Sequence, residues 1–291
     1  MKTVILLVAI IAGIFFPYGH NYVYLIRYFL MMMLFFSFLD VKIVKEIVSL
    51  IHFEILAAII FTSVVLYLLI KPFNVILAQA VFIAAIAPTA IGAPVVVSLK
   101  KGNVEFAAFS LLLNNVAIAF LLPFLLPILT NSSAGVSIVK VLIPILITIS
   151  VPFAVAQIIK FLLPKIWSRL VGWKDSSFFF LMGTVYIAIS DASNYIRTEL
   201  TANYGIVFLI ALTSALLCIF YFTLGWFLGG KKFAFEASQS LGQKNNAFTI
   251  WVSLLFISPV ATLGPVFYVL AQNVYISWEL YNTNSVHVSP E

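Results

Sequence analysis

Charge is the scarcest commodity in this 291-residue chain: Asp, Glu, Lys and Arg together make up only 9% of it. Soluble domains carry about 25%. Hydrophobic residues reach 63%, and mean hydropathy is +1.15. That balance excludes a globular enzyme on a single anchor and implies an all-α polytopic membrane protein. Cysteine is nearly absent. With Cys218 alone, no disulfide can form within the chain, and a thiolate metal site is not expected. The three histidines, His20, His52 and His287, are read as lying in loops and the tail, without metal-ligand spacing. G-x-S-x-G, a phosphate-binding glycine loop and H-E-x-x-H are all missing, so neither an enzyme nor a cofactor is expected. The net charge of +6 does not point to nucleic acid, because the basic residues fall in short loops between apolar runs.

What the chain has is long apolar runs. Windows of about 20 residues give ten spans, near 3–18, 22–39, 51–70, 74–99, 104–129, 136–163, 176–194, 204–229, 234–257 and 259–280. The first reads as a transmembrane helix rather than a cleaved signal, since no small-x-small site precedes His20. One integral domain is expected over 1–280, with a polar tail over 281–291. Lys2, Lys42, Lys45, Lys100, Lys101, Lys165, Arg169, Lys174, Lys231 and Lys232 gather on one side, against Lys71, Lys140 and Arg197 on the other. This bias predicts a multi-pass protein of the cell's inner (plasma) membrane with both termini in the cytoplasm.

The fourth and ninth spans are interrupted. The fourth breaks at Ala87-Pro-Thr-Ala-Ile-Gly-Ala-Pro94, where Pro88 and Pro94 each remove a backbone donor and Gly92 relaxes the steric limits between them. The ninth breaks at Ser240-Leu-Gly-Gln-Lys-Asn-Asn-Ala247, with Gly242 in the middle. Ten spans then divide into two five-helix halves, about 1–130 and 136–280. An odd number of crossings per half inverts the second copy, and matched broken helices mark a midplane binding site of a secondary transporter. Lys244 lies roughly 18 Å along a helix from Lys231-Lys232, near the middle of a ~30 Å hydrocarbon layer. An ammonium there costs at least ~2.5 kcal/mol unless it finds a partner or a wet cavity.

The candidate substrate or ion ligands are therefore Lys244, Ser240, Gln243, Asn245, Asn246 and Thr89, together with Asn114-Asn115 and Gln272-Asn273 at matching places in the two halves. Adjacent helical positions point about 100° apart, so one asparagine of each pair at most is expected to face a given site. Glu54, Asp191, Glu236 and Glu279 fall near span ends and read as interfacial. Trp167, Trp173 and Trp278 read as belt residues.

These motifs resemble those of the bile acid:sodium symporter family over most of the chain. The resemblance rests on Ala87 to Pro94, on Lys101-Gly-Asn-Val104, and on Leu241-Gly-Gln-Lys-Asn-Asn246 followed by Pro259. It implies a core domain with crossed broken helices 4 and 9. It also implies a panel of the first, second, sixth and seventh spans, and alternating access to an organic anion accompanied by sodium. The family's sodium ligands are nevertheless replaced here. Ala93 and Pro94 stand for a Ser-Asn pair, Ala107 and Leu111 for hydroxyls, and Ser240 and Lys244 for a glutamate and a glutamine; only Asn245 remains in type.

The expectation is thus a transporter of a small organic anion in the lipid bilayer. Sodium is not expected at the usual sites, because Lys244 supplies the charge, and a proton is the alternative coupling ion. The competing readings are a conventional sodium-coupled symporter, an uncoupled carrier or exporter, and a channel or sensor on a transporter scaffold.

Overall fold

The computed structural model describes residues 2–39, 48–129, 138–173, 176–198 and 204–286. Lys42, Lys45 and Lys174, which the orientation reading used, lie outside the described residues, as do His287 and the rest of the tail from there. Every regular element among the described residues is helical. They run as α1 (Lys2–Phe15), α2 (Leu25–Leu39), α3 (Leu50–Ile70), α4 (Val75–Ala85), α5 (Gly92–Leu99) and α6 (Val104–Leu129). The second half has α7 (Ile138–Leu162), α8 (Pro164–Val171), α9 (Ser177–Thr198), α10 (Tyr204–Gly242), α11 (Asn246–Phe256) and α12 (Leu263–Val286). A 3-10 helix, Pro17–Tyr22, joins α1 to α2.

Among the described residues, four helical segments are long and apolar enough to cross a membrane: Leu50–Ile70, Val104–Pro127, Leu142–Leu162 and Gly205–Gly242. Four shorter apolar helices accompany them, and two of these, α4 and α11, have 11 residues each. At 1.5 Å per residue, 11 residues reach about 16 Å, roughly half a bilayer. Each therefore needs the helical piece across its break to reach the far side. α9 and α12 are long enough, at 22 and 24 residues, but too polar to meet the same standard.

α10 contains a turn where the sequence places one, after the eighth span. Gly230 adopts φ +57°, a left-handed conformation that glycine takes at no steric cost, and Phe233 also leaves helical geometry. The second arm then runs back along the first, so that Ser238 Oγ donates to the Phe222 carbonyl at 2.8 Å. Packing sorts the helices into two groups. α1, α2, α7 and α9 pack on one another; α3 to α6 pack with α10 and α12, and α11 lies on α12. α11 also touches α2 and α9, α12 touches α1 and α9, and α6 touches α7, where the groups meet.

One reading needs correction. His52 is not in a loop: it lies in the first turn of α3, fully buried, with Nδ1 2.8 Å from Ser110 Oγ and its ring 4.1 Å from that of Phe106. Just beyond the apolar run 136–163, Pro164 begins a separate short helix, α8, instead of continuing α7.

Candidate functional site

The break between α4 and α5 and the break between α10 and α11 lie against each other. Thr89 and Lys244 pair as an isolated antiparallel β-bridge. The Ala90 N–H donates to the Gln243 carbonyl at 2.8 Å, and the Asn245 N–H to the Pro88 carbonyl at 2.7 Å. Each break thus satisfies backbone groups that the other exposes, as unwound backbone at membrane depth requires.

Pro88 ends the first piece, since it can neither donate an N–H nor let the preceding residue stay helical. Pro94 acts differently from the sequence reading. It sits in the first turn of α5, where a missing N–H costs nothing, so it starts a helix and does not break one. Gly92 likewise keeps ordinary backbone angles, and its contribution is space. A Cβ there would lie 2.9 Å from Gln243 Oε1. Gly242 ends α10 under a tighter constraint, since a Cβ would lie 2.4 Å from the Phe222 ring. Its carbonyl accepts from the Tyr268 hydroxyl at 2.7 Å. Asn245 opens α11 as its N-cap, accepting from the Phe248 N–H at 3.3 Å.

Thr89 is the hub. It is fully buried, and its hydroxyl donates to the Ser240 carbonyl at 2.6 Å. Asn114 Nδ2 donates to Thr89 Oγ1 at 2.7 Å, and Asn115 Nδ2 to the Thr89 carbonyl at 2.9 Å. Both asparagines of the pair therefore reach one residue, against the expectation that only one could face the site. An extended residue alongside α6 offers its side chain to one helical position and its backbone to the next. Asn115 Oδ1 also accepts from Asn245 Nδ2 at 3.3 Å, linking the first half to the second.

On the far side, Gln272 Oε1 accepts from the Lys244 N–H at 2.8 Å and from Asn246 Nδ2 at 3.3 Å. Asn273 is not drawn in by any hydrogen bond. Its side-chain amide donates to the Val269 carbonyl of its own helix, and its backbone carbonyl accepts from the Ser277 hydroxyl. Gln243 Nε2 donates to Gln239 Oε1, and Gln239 Nε2 in turn donates to Glu279 Oε2, both at 2.6 Å. Among the described residues, three buried acceptors at the crossing have no protein partner: Asn114 Oδ1, Ser240 Oγ and Asn246 Oδ1.

Lys244 is 2% exposed. Its Nζ donates to the Ala85 carbonyl at 3.2 Å and lies 3.9 Å from the centroid of the Tyr221 ring. The Tyr221 hydroxyl donates to the same carbonyl at 3.1 Å. Ala85 is the last residue of α4, so the amine sits on the negative end of a half-helix. Among the described residues no carboxylate pairs with it. A hydrogen bond from a charged group contributes about 1.5–3 kcal/mol, and a desolvated cation–π contact about 2. Together these are of the size of the ~2.5–3.5 kcal/mol that an ammonium costs at mid-membrane.

Residues 6–241 match the SBF-like CPA transporter family. The chain belongs to that family. The family expected from the motifs is thus the one found, and with the apolar helices it makes this a multi-pass membrane transporter of the bile acid:sodium symporter type, acting on a small molecule. The match ends just before Gln243 and Lys244, so the residues that most distinguish the crossing lie beyond it. Comparison with curated proteins finds no match.

Sequence reasoning missed Tyr221 and Ala85, since nothing in an apolar run marks the aromatic face and carbonyl that meet a distant amine. It also set Glu236 and Glu279 aside as interfacial. Glu236 is buried and accepts from the Asn103 N–H at 2.8 Å, at the N-terminus of α6 where a carboxylate is favoured. Glu279 ties Gln239 on α10 to Lys100 after α5, whose Nζ donates to the Glu279 carbonyl at 2.9 Å. The Gln239/Gln243 pair, four residues apart on one helical face, was the legible signal.

Proposed function

We propose that the protein moves a small organic anion across the plasma membrane by alternating access, with Lys244 as a built-in cation where relatives bind sodium. The observation that carries this is the Lys244 amine on the Ala85 carbonyl at the end of α4. Half-helix C-terminal ends and unwound carbonyls are where transporters of this type hold coupling ions. An amine in that place neutralises the helix end without an ion and holds the two breaks together. It also leaves net positive charge near the crossing to favour an anion. If the amine gives up and regains a proton during the cycle, the proton becomes the coupling ion.

The ten spans form two inverted five-helix repeats. α1, α2, α7 and α9 make the panel, the remaining transmembrane helices make the core, and both termini are cytoplasmic. The sorting of helices into two packed groups and the mutual pairing of the two breaks support that reading. The protein carries out no covalent chemistry.

A thermal-shift screen of organic anions, repeated with Lys244→Ala, identifies a substrate. Uptake of that substrate into proteoliposomes is then measured with sodium replaced by choline. Transport should persist unchanged; strict sodium dependence would restore the ordinary symport mechanism. Collapse of uptake when the pH gradient is dissipated assigns the proton, and accumulation unaffected by either ion argues for an uncoupled carrier.

A further inference from the structure

α8 has no buried residue, although half of Pro164–Val171 is apolar. Its partly buried side chains, Trp167, Leu170 and Val171, share one face and pack against the helices. The Trp167 indole donates to the Leu39 carbonyl at 2.8 Å and pins α8 to the end of α2. The opposite face is exposed and carries Lys165 and Arg169, four residues apart and therefore neighbours. Among the described residues neither has an acidic partner. Exposed apolar side chains flank them on both sides: Phe161 and Leu162 at the end of α7, Ile166 within α8, and Trp173 just after it.

We infer that this edge is a binding site for anionic phospholipid, with Lys165 and Arg169 pairing the headgroup phosphate and the flanking apolar side chains lying against the acyl chains. A short amphipathic helix with basic residues beside tryptophan is the pattern of a segment lying in the membrane interface. Water on that exposed face would leave Phe161, Leu162 and Trp173 solvated; a headgroup layer satisfies both kinds of side chain at once. A second soluble protein would gain no such match, because the apolar residues sit at the end of a membrane-crossing helix. Through Trp167 the lipid would brace α2 and α7, which pack together, against the bilayer.

The test uses the full-length protein in detergent with added phosphatidylglycerol or phosphatidylcholine. Retained lipid is measured by native mass spectrometry, and stability by thermal unfolding. The wild type should retain phosphatidylglycerol preferentially, and retention should fall when salt is raised, as screening requires. At roughly a five-fold contribution per basic residue, K165Q/R169Q should bind phosphatidylglycerol at least about tenfold more weakly. Its unfolding temperature in phosphatidylcholine should stay at the wild-type value. K231Q/K232Q, which changes a basic pair elsewhere, should retain the lipid normally. Wild-type retention by K165Q/R169Q, equal retention of the two lipids, or retention indifferent to salt in the wild type would each overturn the site.

Discussion

The two breaks that meet at the centre of this protein do the same structural job with opposite materials. The first, from Ile86 to Ile91, is built from small and apolar residues with one hydroxyl, and what it offers is mostly backbone: the Ala85, Pro88 and Thr89 carbonyls all accept at the crossing. The second, at Gln243 to Asn245, offers side chains: two amides and an amine. One half supplies the negative end of a helix and the other supplies the cation that sits on it. A pair of identical breaks could not do this, since two carbonyl-rich ends would need an ion between them. The asymmetry is therefore the physical content of the proposed loss of sodium.

The sharpest way to break that comparison is to remove the cation. Lys244→Ala leaves a cavity and strips the Ala85 carbonyl of one donor, and should cost about 3 kcal/mol, read as a lower unfolding temperature in detergent. Transport of the anion should be lost with it. A companion test makes the halves alike again: Lys244→Gln with Ser240→Glu restores the residue types of the sodium-binding relatives. That variant should gain a sodium-dependent thermal shift absent from the wild type. No response to sodium would mean that the remaining replacements, Ala93, Pro94, Ala107 and Leu111, are enough to abolish the site.

Next in size come the glycines, one on each break. Gly242→Ala drives a methyl group into the Phe222 ring and should destabilise by about 2 kcal/mol. Gly92→Ala meets only the end of the Gln243 side chain, which can move, and should cost less than about 1 kcal/mol. Equal effects would show that the second break is no more rigid than the first. Thr89→Val removes the donor to Ser240 and the acceptor of Asn114, leaving buried groups unpaired, and should cost about 1–3 kcal/mol. Asn273→Ala, whose amide bonds only within its own helix, should move the unfolding temperature least.

The breaks were legible because each departs from a rule that a membrane helix otherwise obeys. Prolines beside a glycine interrupt the first, and a lysine among amides interrupts a run too short to span twice. The asparagine pair was legible as polar residues in an apolar helix, but its joint use of Thr89 was not. That depended on Thr89 being extended, which follows from the backbone pairing with Lys244 and not from local sequence. Glu236 and Glu279 were legible as span-end carboxylates, but their partners were not, for a related reason. Position along a span gives depth, yet says nothing about which neighbouring helix end or amide the carboxylate meets.

The sequence alone determined that this is a many-spanning membrane protein with two interrupted helices and one costly amine between them. Composition and periodicity suffice for that, because the bilayer penalises every charge and every unpaired backbone group in the same way along the chain. What the amine does depends on three-dimensional packing. Its partners, Ala85 and Tyr221, are 159 and 23 residues away and chemically ordinary. An amine gains direction only when packing brings a helix end and an aromatic face to it.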